Sequence, residues 1–363
     1  MSPTAAVVAF IAGIILLGYS IYSLLSWGLV YRQRAWQARR STTFDRTFWA
    51  ALRAIGARTK DDIRREQILS LMIPLVMITL LFIRILVLML AWTLILWAIS
   101  PDPFIYVLRE AASATVTLNL ITPRQASPAT IDVLAAMSGL AVVAFSIGYL
   151  PVIRQAMSDQ VTHLFTLDAR IGSPPLGPNI LIEAAQRDDI DGLADFFAQW
   201  KDILAANEDR VASYPVLGYL RSPVTYSGPL VGSLAVADAA ALYIAIAPEI
   251  APANCHRCLD SAKNSLTGIR QKMGIKHGSC SGCELPRSEF DHAVDMLESE
   301  GFPVTEGADA AWPTFCALRS KYSHDSHLLG DYLLSPETAW TMTATACGAV
   351  DRESDTASPK DNT

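Results

Sequence analysis

The sequence predicts an all-α membrane protein. Three transmembrane helices are expected, with a re-entrant helix and loop between the second and third, followed by a helical cytosolic domain. Composition is the first reason: 51% of the 363 residues are hydrophobic and only 18% are charged, against about 25% charged in ordinary soluble chains. Blocking is the second. Uninterrupted apolar stretches occur at Ala5–Trp27, Leu69–Ile99 and Ile131–Ile153, and about 20 apolar residues cross a bilayer core. The third is charge segregation. Tyr31–Glu66 carries ten Arg/Lys against four acids, a net +6 in a chain of net −6, so the remainder sums to −12. One basic loop in an acidic chain is an orientation signal, not a nucleic-acid-binding patch.

Ala5–Trp27 contains no charge and is followed directly by arginines. A signal peptide is the competing reading, but basic residues before the run are lacking and its apolar core is too long. The first span (1–28) therefore places its N-terminus outside and its C-terminal end in the cytoplasm, in the plasma (inner) membrane of a cell. The basic cytosolic loop (29–68) has helical pieces near Thr47–Ala57 and Lys60–Leu69. Trp36, Phe44, Phe48, Trp49 and Leu52 interleave with arginines there. That pattern suits a helix on an anionic lipid surface, and equally a solvated connector.

Residues 69–155 form the membrane domain. Leu69–Ile99 is longer than one perpendicular crossing, so it tilts or extends past the bilayer before Pro74. Arg84 lies near its middle. A charge there costs at least ~2.5 kcal/mol on insertion scales and faces protein, water or the interface. Two readings stay open: a partner for an acid such as Glu110 or a charge near the conduction path, against snorkelling or a helix–helix pair with no transport role. Pro101 and Pro103 end the helix. A short semi-apolar helix (Tyr106–Thr115), a Ser/Thr-rich loop (Val116–Pro123) and the third span (Ile131–Ile153) follow. Gly139, Gly148 and Pro151 interrupt that span and are its candidate hinge points. Arg154 marks the cytoplasmic exit.

From 156 to 345 the pattern is helical. Gln160–Arg170 continues the third span until the turn Gly172–Pro178. Asn179–Gln186 and Asp191–Asn207 are amphipathic, and Asp188, Asp189 and Asp191 read as a solvated, well-capped helix start. Gly232–Ala247 is apolar but short and contains Asp238, which favours a buried core helix over a fourth span. Helices are expected at Cys255–Met273, Ser288–Glu300 and Ala310–Leu333. Residues 346–363 form a polar tail expected to be disordered.

Helix, dip, helix is the shape of a re-entrant pore segment. The carrying residues are SATVTLNLITP (Ser113–Pro123), SIGYLPVIRQAMS (Ser146–Ser158) and LDARIGSPP (Leu167–Pro175), with SYPVLGYLRSP (Ser213–Pro223) and blocks between Ser288 and Trp340. On these stretches the chain resembles the two-transmembrane ion-channel domain of the potassium channel superfamily. More narrowly, it is similar to bacterial potassium-channel-like membrane proteins with an extra N-terminal span and a helical C-terminal domain. The resemblance implies a homotetramer, surrounded by membrane lipids, that passes monovalent cations. It places the filter at Ser113, Thr115, Val116, Thr117, Leu118, Asn119, Leu120 and Ile121, in a register starting at Thr115 or at Thr117. Potassium filters point successive backbone carbonyls at one axis and use glycine to do so. Neither register contains a glycine. Asn tolerates the left-handed conformation, but β-branched Thr or Ile there is strained.

All six cysteines follow the last membrane-length run, and in a cytosolic domain they stay reduced. CHRC (Cys255, Cys258) and CSGC (Cys280, Cys283) have nearly the spacing of two zinc knuckles. Zn²⁺ binding, free thiols and a redox-active pair are the alternatives. His324 and His327 read as a surface pair, because no third ligand accompanies them. No phosphate loop, nucleophile elbow or acid–base couple occurs, so no enzymatic activity is expected.

Overall fold

The computed structural model describes residues 2–28, 35–59, 61–117, 129–221, 228–276, 285–335 and 340. Among them every regular element is helical: α1 (Pro3–Gly28), α2 (Ala35–Gly56), α3 (Asp62–Ser70), α4 (Met72–Ile99), α5 (Phe104–Thr117), α6 (Ala129–Ile171), α7 (Gly177–Gln186), α8 (Leu193–Ser213), a 3-10 turn (Pro215–Tyr219), α9 (Pro229–Ile246), α10 (Ala253–Lys272), α11 (Arg287–Ser299), α12 (Ala308–Arg319) and α13 (Ser323–Leu333). Four stretches are long and apolar enough to cross a membrane: Pro3–Leu24, Arg64–Ile99, Thr130–Ile171 and Pro229–Ile246. The protein is a helical membrane protein. It divides into two units, one of residues 1–34 and 74–156, the other of residues 35–73 and 157–363.

The first unit packs α4, α5 and α6 around Leu88, Trp92, Ile95 and Leu96 of α4, Val107, Ala111 and Ala114 of α5, and Ala135 and Val142 of α6. Leu17 and Leu24 of α1 lie against this cluster. Trp92 donates its indole N–H to Ser138 Oγ at 2.9 Å, which gives a buried polar atom its partner. Outward faces remain apolar: Val8, Ile15, Ile78, Phe82, Met137, Leu140 and Ile147 are all exposed. Patches of that kind are covered by lipid or by protein.

The second unit is built on α9, which packs against α7, α8, α10, α12 and α13. From Val231 to Ile246 every residue of α9 is buried, whereas only 17–22% of the most apolar window of each other membrane-length stretch is buried. A helix apolar on all sides is at home in such a core. Its one charge, Asp238, accepts from Arg319 Nε at 3.0 Å and from Tyr322 OH at 2.6 Å. α6 runs unbroken through the expected extension and stops at Gly172, whose φ of +80° provides the left-handed cap that glycine adopts without cost.

Three sequence expectations change. In the basic loop Trp49 and Leu52 are buried within the second unit, while Arg46, Ala50, Ile55, Arg58 and Arg64 stay exposed. Trp49 of α2 is fully buried, 5.1 Å from the Tyr219 ring and 6.3 Å from Tyr332, and donates to the Tyr332 carbonyl at 3.1 Å. Arg53 donates to the Asp331 carbonyl at 3.0 Å. Next, Ala310–Leu333 is two helices, broken at Ser320–Tyr322 where Tyr322 turns in to Asp238. Finally, His324 and His327 are buried on an α13 whose Asp325 pairs with Arg270 at 2.6 Å. The polar tail lies outside the described residues.

Candidate functional site

The candidate site is α5 and its seat. At 14 residues and 1.5 Å per residue the helix is about 21 Å long, roughly two thirds of a bilayer core. Pro101 and Pro103 precede it; Pro103 accepts the first backbone bonds, from Tyr106 and Val107. Val107, Ala111 and Ala114 fall at i, i+4 and i+7 and are fully buried, so one small-residue stripe is pressed into the α4–α6 core. Glu110, Ser113 and Thr115 are buried alongside it.

The C-terminal end of α5 is held by Gly139. A Cβ built there would overlap the Thr115 carbonyl oxygen, so only glycine admits this approach of backbone to backbone. Gly139 is thus a contact point in this structure. Gly148 faces open space, and α6 continues through Pro151 without a break.

Ser113, Thr115, Val116 and Thr117 lie in the last turns of α5. Thr115 Oγ1 donates back to the Ala111 carbonyl, a bond made within a helix. The backbone of residues 115–117 is helical. Leu118, Asn119, Leu120 and Ile121 lie outside the described residues. Arg84 is half-buried in α4.

Cys255 and Cys258 are one turn apart on the buried face of α10. Burial, with Lys201 opposing, pushes the Cys258 thiol up to about 12. Burial and the neighbouring Cys258 raise that of Cys255 as well. Both are protonated at neutral pH in the absence of a bound cation. Among the described residues no three His, Cys, Asp or Glu side chains group as metal ligands. Cys280 and Cys283 lie outside those residues.

Sequence reasoning missed two constellations in the second unit. One is the Asp238–Arg319–Tyr322 clamp, for which the charge inside an apolar run was a usable signal. The other joins Arg221 to Glu66 at 2.9 Å across 155 positions, with no local cue. Compared with known proteins, the chain matches no family model, no curated protein and no solved structure.

Proposed function

We propose that the chain is a channel-like integral membrane protein in which α1, α4 and α6 span the bilayer and α5 is a re-entrant helix. The observation that carries this is a parity. Residues 35–73 and 157–363 fold into one unit and so share a side of the membrane. The chain between them therefore crosses an even number of times. α4 and α6 each have the length for one crossing, which leaves α5, too short and capped by prolines, to enter and return. α9, enclosed within the second unit, is not counted as a span. The shared side is cytoplasmic by the charge of residues 31–66, and the N-terminus lies outside.

In this reading four copies surround one axis, because a single re-entrant segment supplies only part of a pore wall. The exposed apolar faces of α4 and α6 are the surfaces that lipid and neighbouring copies would cover. Ser113 and Thr115 stay within the helix, and the segment from Thr117 to Ile121 would line the path for monovalent cations. A second reading is a non-conducting scaffold or sensor whose cytosolic unit binds a partner. The lack of glycine from 113 to 121 and the helical backbone of 115–117 favour it.

Cation flux from liposomes holding the purified protein separates the two. The first reading expects flux that rises when glycine is restored at Thr117 and Asn119. No flux from the native chain, with a tetramer intact by mass, refutes conduction and leaves the scaffold.

A further inference from the structure

Within the second unit a cavity of about 60 Å³ opens where α3, α6, α8, α9, α10 and α13 converge. Most of its wall is apolar, including Leu217, Val231, Leu266 and Ile269, but Arg221, Glu66 and Gln160 also line it. The Arg221 side chain is 7% exposed. Its Nη1 donates to Glu66 Oε1 at 2.9 Å. Its Nε and Nη2 are buried with no hydrogen-bond partner among the described residues, as is Gln160 Oε1. Nε and Nη2 form one edge of the guanidinium, the fork that grips a carboxylate through two parallel bonds. An anion bound to that edge would recover the desolvation cost of burying it.

Two further features carry positive potential here. α9 begins at the cavity with Gly228 and Pro229, and its first N–H groups add the partial positive charge of a helix start. Burial, with Arg65 nearby, pushes the Arg221 guanidinium below its ordinary range, and Glu66 offsets only part of this.

We propose that this cavity binds a short-chain aliphatic carboxylate, its head on the Nε–Nη2 edge of Arg221 and its alkyl part against Leu217, Val231, Leu266 and Ile269. The volume selects the size. At about 10–15 Å³ of such space per water, it takes the place of roughly four to six waters, a butyrate rather than a long acyl chain. Inorganic phosphate would satisfy the fork but leave the apolar wall bare, and an alcohol would do the reverse. The site is independent of whether the membrane part conducts.

The test is equilibrium dialysis of radiolabelled butyrate against the full-length protein in a non-ionic detergent. Saturable binding of one butyrate per chain is expected, with at least tenfold weaker competition by butanol and by inorganic phosphate. The paired variant Glu66→Gln/Arg221→Met, which keeps the site's net charge balance, should lose at least tenfold in affinity. Ile269→Phe, which fills the cavity and spares the ion pair, should do the same. The proposal is overturned by absence of saturable butyrate binding to the native protein. It is equally overturned if butanol or phosphate competes as well as butyrate does, or if either variant, melting as a folded protein, binds butyrate normally.

Discussion

Asp238→Ala takes away the carboxylate that Arg319 Nε and Tyr322 OH both face in the core of the second unit. Neither partner of the ion pair is open to water: the two side chains are 3% and 1% exposed. Arg319 is held in place by a second bond, from Nη2 to the Trp340 carbonyl at 2.6 Å, so it cannot swing out to recover solvent. Removing one member of such a pair costs about 3–5 kcal/mol. In a unit of this size each kcal/mol moves the melting point by ~2–4 °C, so a fall of about 6–20 °C is expected. Asp238→Leu combined with Arg319→Met removes both charges and should regain most of that loss, because an apolar replacement of a buried pair is often neutral or stabilising. Tryptophan fluorescence of the full-length protein during heating in detergent reads the transition. A fall below about 3 °C for Asp238→Ala, or a double variant as unstable as the sum of the singles, refutes the clamp. It would also reopen α9 as a span, since a lipid-facing helix gains by losing a carboxylate.

Three more outcomes follow from the packing. Trp49→Ala should cost about 3–5 kcal/mol, as for other large buried aromatics, and should speed proteolysis at Arg53 and Arg58 as α2 loosens from Tyr219 and Tyr332; unchanged digestion would contradict the docking. Gly139→Val should displace the end of α5 and lower the yield of monodisperse protein in detergent, while Gly148→Val, facing open space, should not; equal behaviour of the two would refute the α5 seat. Cys255 and Cys258 should resist alkylation at pH 8 until the protein is unfolded. Because the thiol pKa is raised on folding, the stability this burial confers is fully present below the unfolded value near 8.5. It then declines toward pH 12, at up to ~1.4 kcal/mol per pH unit for each thiol. A flat stability profile across that window would contradict their burial.

What was legible in the sequence was whatever the chain encodes locally. α1, α4 and α6 announce themselves as apolar runs, and α9 declared itself a core helix by being short and carrying Asp238. α5 was visible because Pro101 and Pro103 isolate a small-residue helix. Pairings across long separations were not legible. Nothing near Trp49 indicates Tyr219 or Tyr332, and Arg-rich surroundings suggested lipid or water instead. The break between α12 and α13 contains neither glycine nor proline; it is made by Tyr322 reaching Asp238, a tertiary contact. Likewise the burial of His324 and His327 depends on α13 being covered by α9 and α10, which no spacing within HDSH foretells. For the candidate site, the hydroxyl-rich run 113–117 showed polar side chains in an apolar region, but not that Thr115 bonds back to the Ala111 carbonyl within α5.

The docking of α2 has a consequence for how the molecule comes into being. Its partner Tyr332 follows Trp49 by 283 residues. At about 5–20 residues per second, the ribosome needs roughly 15–60 s to supply it. Throughout that interval the face of α2 that Trp49 presents to Tyr332 is uncovered. The docking of α2 is completed only when Tyr332 arrives. A truncation beginning at residue 157 would lack Trp49, Leu69 and Met72 and leave Arg221 without Glu66, so it is not a self-sufficient soluble domain. Trp49 keeps an open face until Tyr332 has been made.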